Sequence, residues 1–250
     1  MRRYFLYLSY NGAPFCGWQK QPSSPSVQET LENALAVLLK RNVEVVGCGR
    51  TDTGVHADAY FAHFDWNDSD TSGALQNLEQ LAYQLNSILP KAIAIHNIFE
   101  VPQDFHARFS ATWRTYHYYI HTAKNPFLDD TSYYYRTPFN EEKIQQAAQR
   151  LCGQRDFTSF SKLHTQTAHN FCNLQKAEFL RTGQNRWMFV FTANRFLRNM
   201  VRAMTGTLLE VGTGRRTIED IDTLLQAKDR GMAGNSVPAH ALFLHEIEYF

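Results

Sequence analysis

Polar and apolar positions alternate through RRYFLYLSY, and the run stops at Asn11-Gly12, which predicts a strand over 3–9 closed by a turn. The period then changes. Between 27 and 40 the apolar residues Val27, Leu31, Ala34, Leu35, Leu38 and Leu39 fall on one helical face, and Ser26 with Glu29 forms a capping box ahead of them. Strands are expected at 43–48 and 58–66, and a second helix at 73–89, apolar at Leu75, Leu78, Leu81, Leu85 and Ile88 and stopped by Pro90. A strand over 92–101 completes the order β-α-β-β-α-β. That order is the split βαβ arrangement, an antiparallel sheet with helices on one face.

The same order recurs with insertions. A strand is expected at 111–122, and a helix capped by Asn140 ends near Gly153. Strands at 172–182 and 186–193 meet through Gly183 as a hairpin. The segment RFLRNMVRAMTGTLLEV, 195–211, reads as a helix, a further helix runs over 217–228, and the last strand is 241–249. The expected fold class is α+β: two related split-βαβ (ferredoxin-like) halves with antiparallel or mixed sheets and a cleft between them. Residues 1–103 form the N-terminal half with the segment GRTDTGVHA, and residues 104–250 the C-terminal half with Tyr116 and the arginine-bearing helix.

Composition narrows the class of protein. An apolar fraction of 44% in 250 residues supports a sizeable core, and a charged fraction of 20% argues against a disordered chain. Cys16, Cys48, Cys152 and Cys172 contain no C-x-x-C pair, so they read as thiols of a reducing compartment. No apolar run approaches membrane-spanning length, and the start is a strand rather than a leader, so the expectation is a cytoplasmic protein without a membrane partner. The net charge of +1 conceals a split: residues 1–100 hold 7 basic against 10 acidic side chains, and the rest 18 against 14. Six arginines and one acid, Glu210, lie between Arg186 and Arg216. Such a basic face suits phosphates or is simply solvated.

The segment Gly49–Ala57, GRTDTGVHA, sits between two expected strands and places Arg50 two residues from Asp52. Asp-Thr-Gly is the aspartic-protease triplet, but that chemistry needs two such loops sharing a proton in a dry cleft. Here the chain has one, and it follows Arg50 and Thr51. An Arg50–Asp52 pair would keep the carboxylate ionised, which suits a nucleophile or a charge stabiliser. The same pair would also serve simply to fix a turn. VGTGRR at 211–216 follows a helix and reads as a helix end, not a phosphate cradle.

CGRTDTGVHA resembles the signature of the bacterial tRNA pseudouridine synthases that act on the anticodon arm, at the positions called 38, 39 and 40. YNGAPFCGWQKQ, SVQETLENAL, DFHARFSAT, RTYHYYI, GQRDFTSF and FLRNMVRAMTGTLLEVG match further blocks of that family in order, over almost the whole chain. Asn11, Thr53 and Ala241 stand where the family commonly has Asp, Ala and Gly. The resemblance implies isomerisation of uridine in tRNA, with no metal, nucleotide or other cofactor, because nothing is oxidised and no group is imported. It implies a homodimer, with tRNA as partner.

It also implies site residues. Asp52 is the nucleophile; attack at ribose C1′ and abstraction of the 2′ proton both stay open. Arg50 orients it, and Arg202 is the second arginine near that carboxylate. Tyr116 is the ring under the target uracil, and Arg108 and His106 are further substrate-binding candidates. His56 and His106 read as residues that hydrogen-bond loop backbone or phosphate. On a helix over 195–211, Arg195, Arg198 and Arg202 would share a face; for the first two a solvated stripe is an equal reading. An inactive RNA-binding module of the same fold is the competing function.

Overall fold

The computed structural model describes residues 1–67, 73–162 and 169–249. It contains two compact units, residues 1–112 with 244–250, and residues 113–243. The first unit runs β1 (Arg2–Tyr10), α1 (Val27–Leu39), β2 (Val46–Gly47), β3 (His56–Trp66), a 3₁₀ turn (Gly73–Gln76), α2 (Leu78–Ile88) and β4 (Ile93–Val101). Strand β1 is antiparallel to β3 and to β4, and β2 adds to β3, so the order is β4-β1-β3-β2. This is the split βαβ arrangement. Leu6 and Leu8 of β1, Leu31 and Leu35 of α1 and Leu81 and Leu85 of α2 are fully buried.

Two elements are shorter than their patterns predict. The strand expected at 43–48 shrinks to two residues because α1 takes its backbone groups. Gln28 Nε2 donates to the Val45 carbonyl at 2.9 Å, and Val45 N–H donates to Glu32 Oε1 at 3.2 Å. The helix expected from 73 begins at Leu78, because Asn77 is extended and its side chain accepts from Gln80 N–H at 2.9 Å.

The other face of the first sheet is aromatic. Phe5 packs against His63, Phe99, Phe105 and Tyr249, and Tyr7 stacks on Phe61. The segment 105–110 is tied down over this face. Arg3 pairs with Asp65 through two bonds of 2.8 Å and donates to the Phe105 carbonyl at 3.2 Å. Ala107 N–H donates to His63 Nδ1 at 3.2 Å, and the Tyr249 hydroxyl donates to the Ala107 carbonyl at 2.8 Å.

The second unit contains β5 (Trp113–His121), β6 (Tyr133–Tyr134), α3 (Glu141–Leu151), β7 (Gly153–Asp156), β8 (Phe171–Gly183), β9 (Arg186–Ala193), α4 (Met200–Gly212) and α5 (Asp220–Ala227). Its sheet order is β5-β9-β8-β7, antiparallel, with β6 parallel to β5. The last strand, β10 (Leu242–Glu248), borders β3, and its residues from Leu244 onward belong to the first unit. The chain is α+β, as its patterns predict.

Helix α4 corrects one expectation. The helix predicted over 195–211 starts at Met200, because Asn199 adopts a left-handed conformation with φ of 68°. Arg195 and Arg198 therefore precede it, and the shared arginine face does not form. Every residue of α4 is buried except Arg202 and Glu210. The Thr205 and Thr207 hydroxyls satisfy themselves on the carbonyls of Val201 and Ala203, both at 2.9 Å.

Two stability predictions follow from these contacts. Ser26 is fully buried, and its hydroxyl accepts from Glu29 N–H at 3.3 Å. Ser26→Ala should cost about 1 kcal/mol in urea unfolding, the usual effect of a lost cap. Burial, with Arg3 and His106 nearby, lowers the His63 pKa from 6.5 to about 4. The unfolded chain therefore takes up this proton first. Stability is fully present above pH 6.5 and is lost as pH falls toward 4. The urea midpoint should drop across that window, and less steeply in His63→Gln; identical slopes would contradict the assignment.

Candidate active site

The loop Gly49–Ala57 joins β2 to β3 and is held from both sides. The Tyr10 hydroxyl bonds Thr51 Oγ1 at 2.8 Å, and the Tyr60 hydroxyl donates to the Gly49 carbonyl at 2.5 Å. Trp18 stacks on Tyr60, with centroids 4.1 Å apart. Trp18 N–H donates to the Thr51 carbonyl at 3.3 Å, and Gly54 N–H to the Phe15 carbonyl at 3.4 Å. Two glycines permit this approach. A Cβ on Gly12 would lie 2.0 Å from the Val55 carbonyl oxygen, and one on Gly17 2.5 Å from that of Thr51. Gly17 also has φ of +90°. The carbonyls of Gly17 and Trp18 accept from Val27 and Gln28 N–H, so the same two residues cap α1 and support the loop.

Asp52 opens a tight turn. Val55 N–H donates to the Asp52 carbonyl at 3.1 Å, and Gly54 has φ of +76°, the conformation a type II turn requires of its third residue. Thr51 before it is buried, while Asp52 is half-exposed. His56 is buried, and its Nδ1 accepts from Gly12 N–H at 3.1 Å, so it fixes the loop. Arg50 is exposed. Backbone contacts on both flanks set the course of the chain through Asp52.

His106 organises its own turn. Its Nδ1 accepts from the N–H groups of Arg108 at 3.0 Å and Phe109 at 3.2 Å, and its N–H donates to Ser110 Oγ at 2.8 Å. Burial, Arg3 and Arg108 lower its pKa, so the ring stays neutral near neutral pH. Arg108 is exposed and lies 5.5 Å from the ring centroid of Phe109, itself 75% exposed.

The second unit carries the remaining candidates. Tyr116 is half-buried on β5, its ring edge-on to Phe196 at 5.0 Å and 81°. Tyr118, two residues on, is fully buried and donates to the Pro238 carbonyl at 3.0 Å. Arg202 is half-buried on α4. Its Nε donates to the Val237 carbonyl at 2.7 Å, and its own carbonyl accepts from Val237 N–H at 3.2 Å. The chemistry-bearing motifs did not reveal this segment, 234–238, although the Gly234 and Pro238 punctuation marks it as a connection with a fixed shape.

Among the described residues no group of three or more His, Cys, Asp or Glu side chains is placed to hold a metal ion, and no helix is long and apolar enough to cross a membrane. A family model described as tRNA pseudouridine synthase matches residues 147–249. The chain is 49% identical over its full length to a protein of Parabacteroides distasonis named tRNA pseudouridine synthase A, covering 96% of that protein. It is 45% identical to the Bacteroides fragilis protein of the same name and 40% identical to that of Francisella philomiragia, again over its full length and over 97% and 95% of those proteins. Similarity of this extent, over both units and including the loop that fixes Asp52, places the chain in the tRNA pseudouridine synthase family.

Proposed function

We propose that this protein isomerises uridine to pseudouridine at position 38, 39 or 40 of the tRNA anticodon arm, with Asp52 as nucleophile. One observation carries the reading: a half-exposed carboxylate sits on a loop whose backbone is fixed on both flanks. The bond from ribose C1′ to uracil N1 breaks, the base turns, and C1′ rejoins at C5. The proton that leaves C5 is balanced by one gained at N1. Positive charge develops at C1′ as the glycosidic bond opens, and a carboxylate held still beneath the sugar stabilises or captures it, the demand that glycosidases also meet. A glycosidase needs a second carboxylate for water or the leaving group; here the base is retained and the reaction requires water to stay out, so one can suffice.

The other residues take supporting roles. A base must leave the stack to react. The half-buried ring of Tyr116 offers it a stacking surface, worth about 1–3 kcal/mol. Arg202 acts at the same uridine as a fixed cation. Arg50 is exposed beside Asp52 and contacts the RNA during base extrusion. Arg108 with Phe109 presents a cation and an aromatic face to the RNA backbone. The protein works as a homodimer.

The test is tritium release. Incubated with tRNA tritiated at uridine C5, the protein should release tritium to water, and Asp52→Asn should release none. The tRNA affinity of that variant should stay within about tenfold of wild type, because phosphate contacts dominate binding. Binding without release by the wild type would mark an inactive RNA-binding module; collapsed affinity in Asp52→Asn would make Asp52 structural. Sedimentation at micromolar concentration should give a dimer, and a monomer would remove that part of the proposal.

A further inference from the structure

Residues 234–238 lie across α4 and clamp Arg202, and the crossing depends on close approach. A Cβ on Gly206 would lie 1.9 Å from the Asn235 carbonyl oxygen. Gly234 N–H donates to Thr207 Oγ1 at 3.0 Å, and Val237 exchanges two bonds with Arg202. The segment also borders a cavity of about 460 Å³, lined by Asn235–Pro238 together with Gly206, Leu209 and Glu210 of α4, so packing does not surround it on all sides.

Arg230 supplies what packing does not. Its guanidinium is half-buried and gives its hydrogen bonds to neutral oxygens: the carbonyls of Gly234 at 3.1 Å and Ala233 at 3.4 Å, and Ser236 Oγ at 2.9 Å. Ser236 Oγ also receives Asn199 Nδ2 at 2.6 Å, and Asn199 is the left-handed residue that starts α4. Arg230 is anchored in turn. Asp229 N–H donates to the buried Ser159 hydroxyl at 2.9 Å, and Ser159 lies in the GQRDFTSF segment. Nearby, Asp156 caps Thr158 N–H at 3.0 Å and pairs with Lys228 at 3.0 Å.

We propose that Arg230 is a positioning residue for the isomerisation, holding residues 234–238 so that Val237 sets the guanidinium of Arg202. This rests on the reading that Arg202 acts at the target uridine. A planar fork with several fixed donors suits the task, because it holds one loop at three oxygens at once.

The test is a cycle of single-turnover rates and tRNA affinities for Arg230→Gln, Arg202→Lys and the double variant. Arg230→Gln should slow the single-turnover rate about 10–100-fold, the usual cost of a misplaced group. Its affinity for tRNA should change less than about threefold, since phosphate contacts elsewhere carry binding. In the Arg202→Lys background the same change should slow the rate less than about twofold, because the two residues act as one unit. Arg230→Lys should recover part of the loss, as one ammonium can still serve one or two of the oxygens. A wild-type rate in Arg230→Gln, or an equal loss in both backgrounds, overturns the proposal. A wild-type rate in Arg202→Lys overturns the role of Arg202, and this proposal with it. If Arg230→Gln lacks a cooperative melt, Ser236→Ala replaces it with the same expectations, since it removes two hydrogen bonds and little volume.

Discussion

The contact on which the site depends is backbone lying against backbone, with two side chains missing. Gly12 and Gly17 let residues 12–18 lie flush against the loop that carries Asp52. Any larger residue would push the two segments apart by an ångström or more. In the function proposed for Asp52, its carboxylate would gain from such a setting, because the backbone that carries it is fixed before substrate arrives.

A similar principle operates in the second unit. Gly206 lets another segment cross α4, and that segment fixes Arg202 through a carbonyl. In both units a candidate residue sits against a neighbouring stretch of main chain, and glycine makes the approach possible. The aromatic layer over the far face of the first sheet does comparable work for residues 105–110, through the Phe5 cluster and the Arg3–Asp65 pair. That layer explains why a surface turn containing His106 and Arg108 has a defined shape.

Much of this was legible beforehand. Periodicity found α1, β1, β3, β4 and the β8–β9 hairpin, because their apolar spacing reflects local geometry. It failed where non-local partners decide. Nothing in Val43–Cys48 announces that Gln28 and Glu32 will take the backbone groups of Val45. Nothing in RFLRNM announces that Asn199 will turn left-handed, with its amide bound to Ser236 thirty-seven residues away. The candidate residues themselves were found from motif and resemblance. Most of their supports, Tyr10 and Trp18 at the loop and residues 234–238 at α4, stand more than thirty residues from them in sequence, and these and Tyr60 belong to no spacing rule.

The loop of Asp52 is held in part by two phenol oxygens, those of Tyr10 and Tyr60, set in rings that are otherwise ordinary core. Exchanging either ring for phenylalanine would preserve nearly all of the apolar volume, and a neutral hydrogen bond contributes only about 1 kcal/mol. The fold and the set of this loop therefore rest on different atoms of the same two rings. A lineage that shed those two oxygens would keep its core and loosen the turn that carries Asp52.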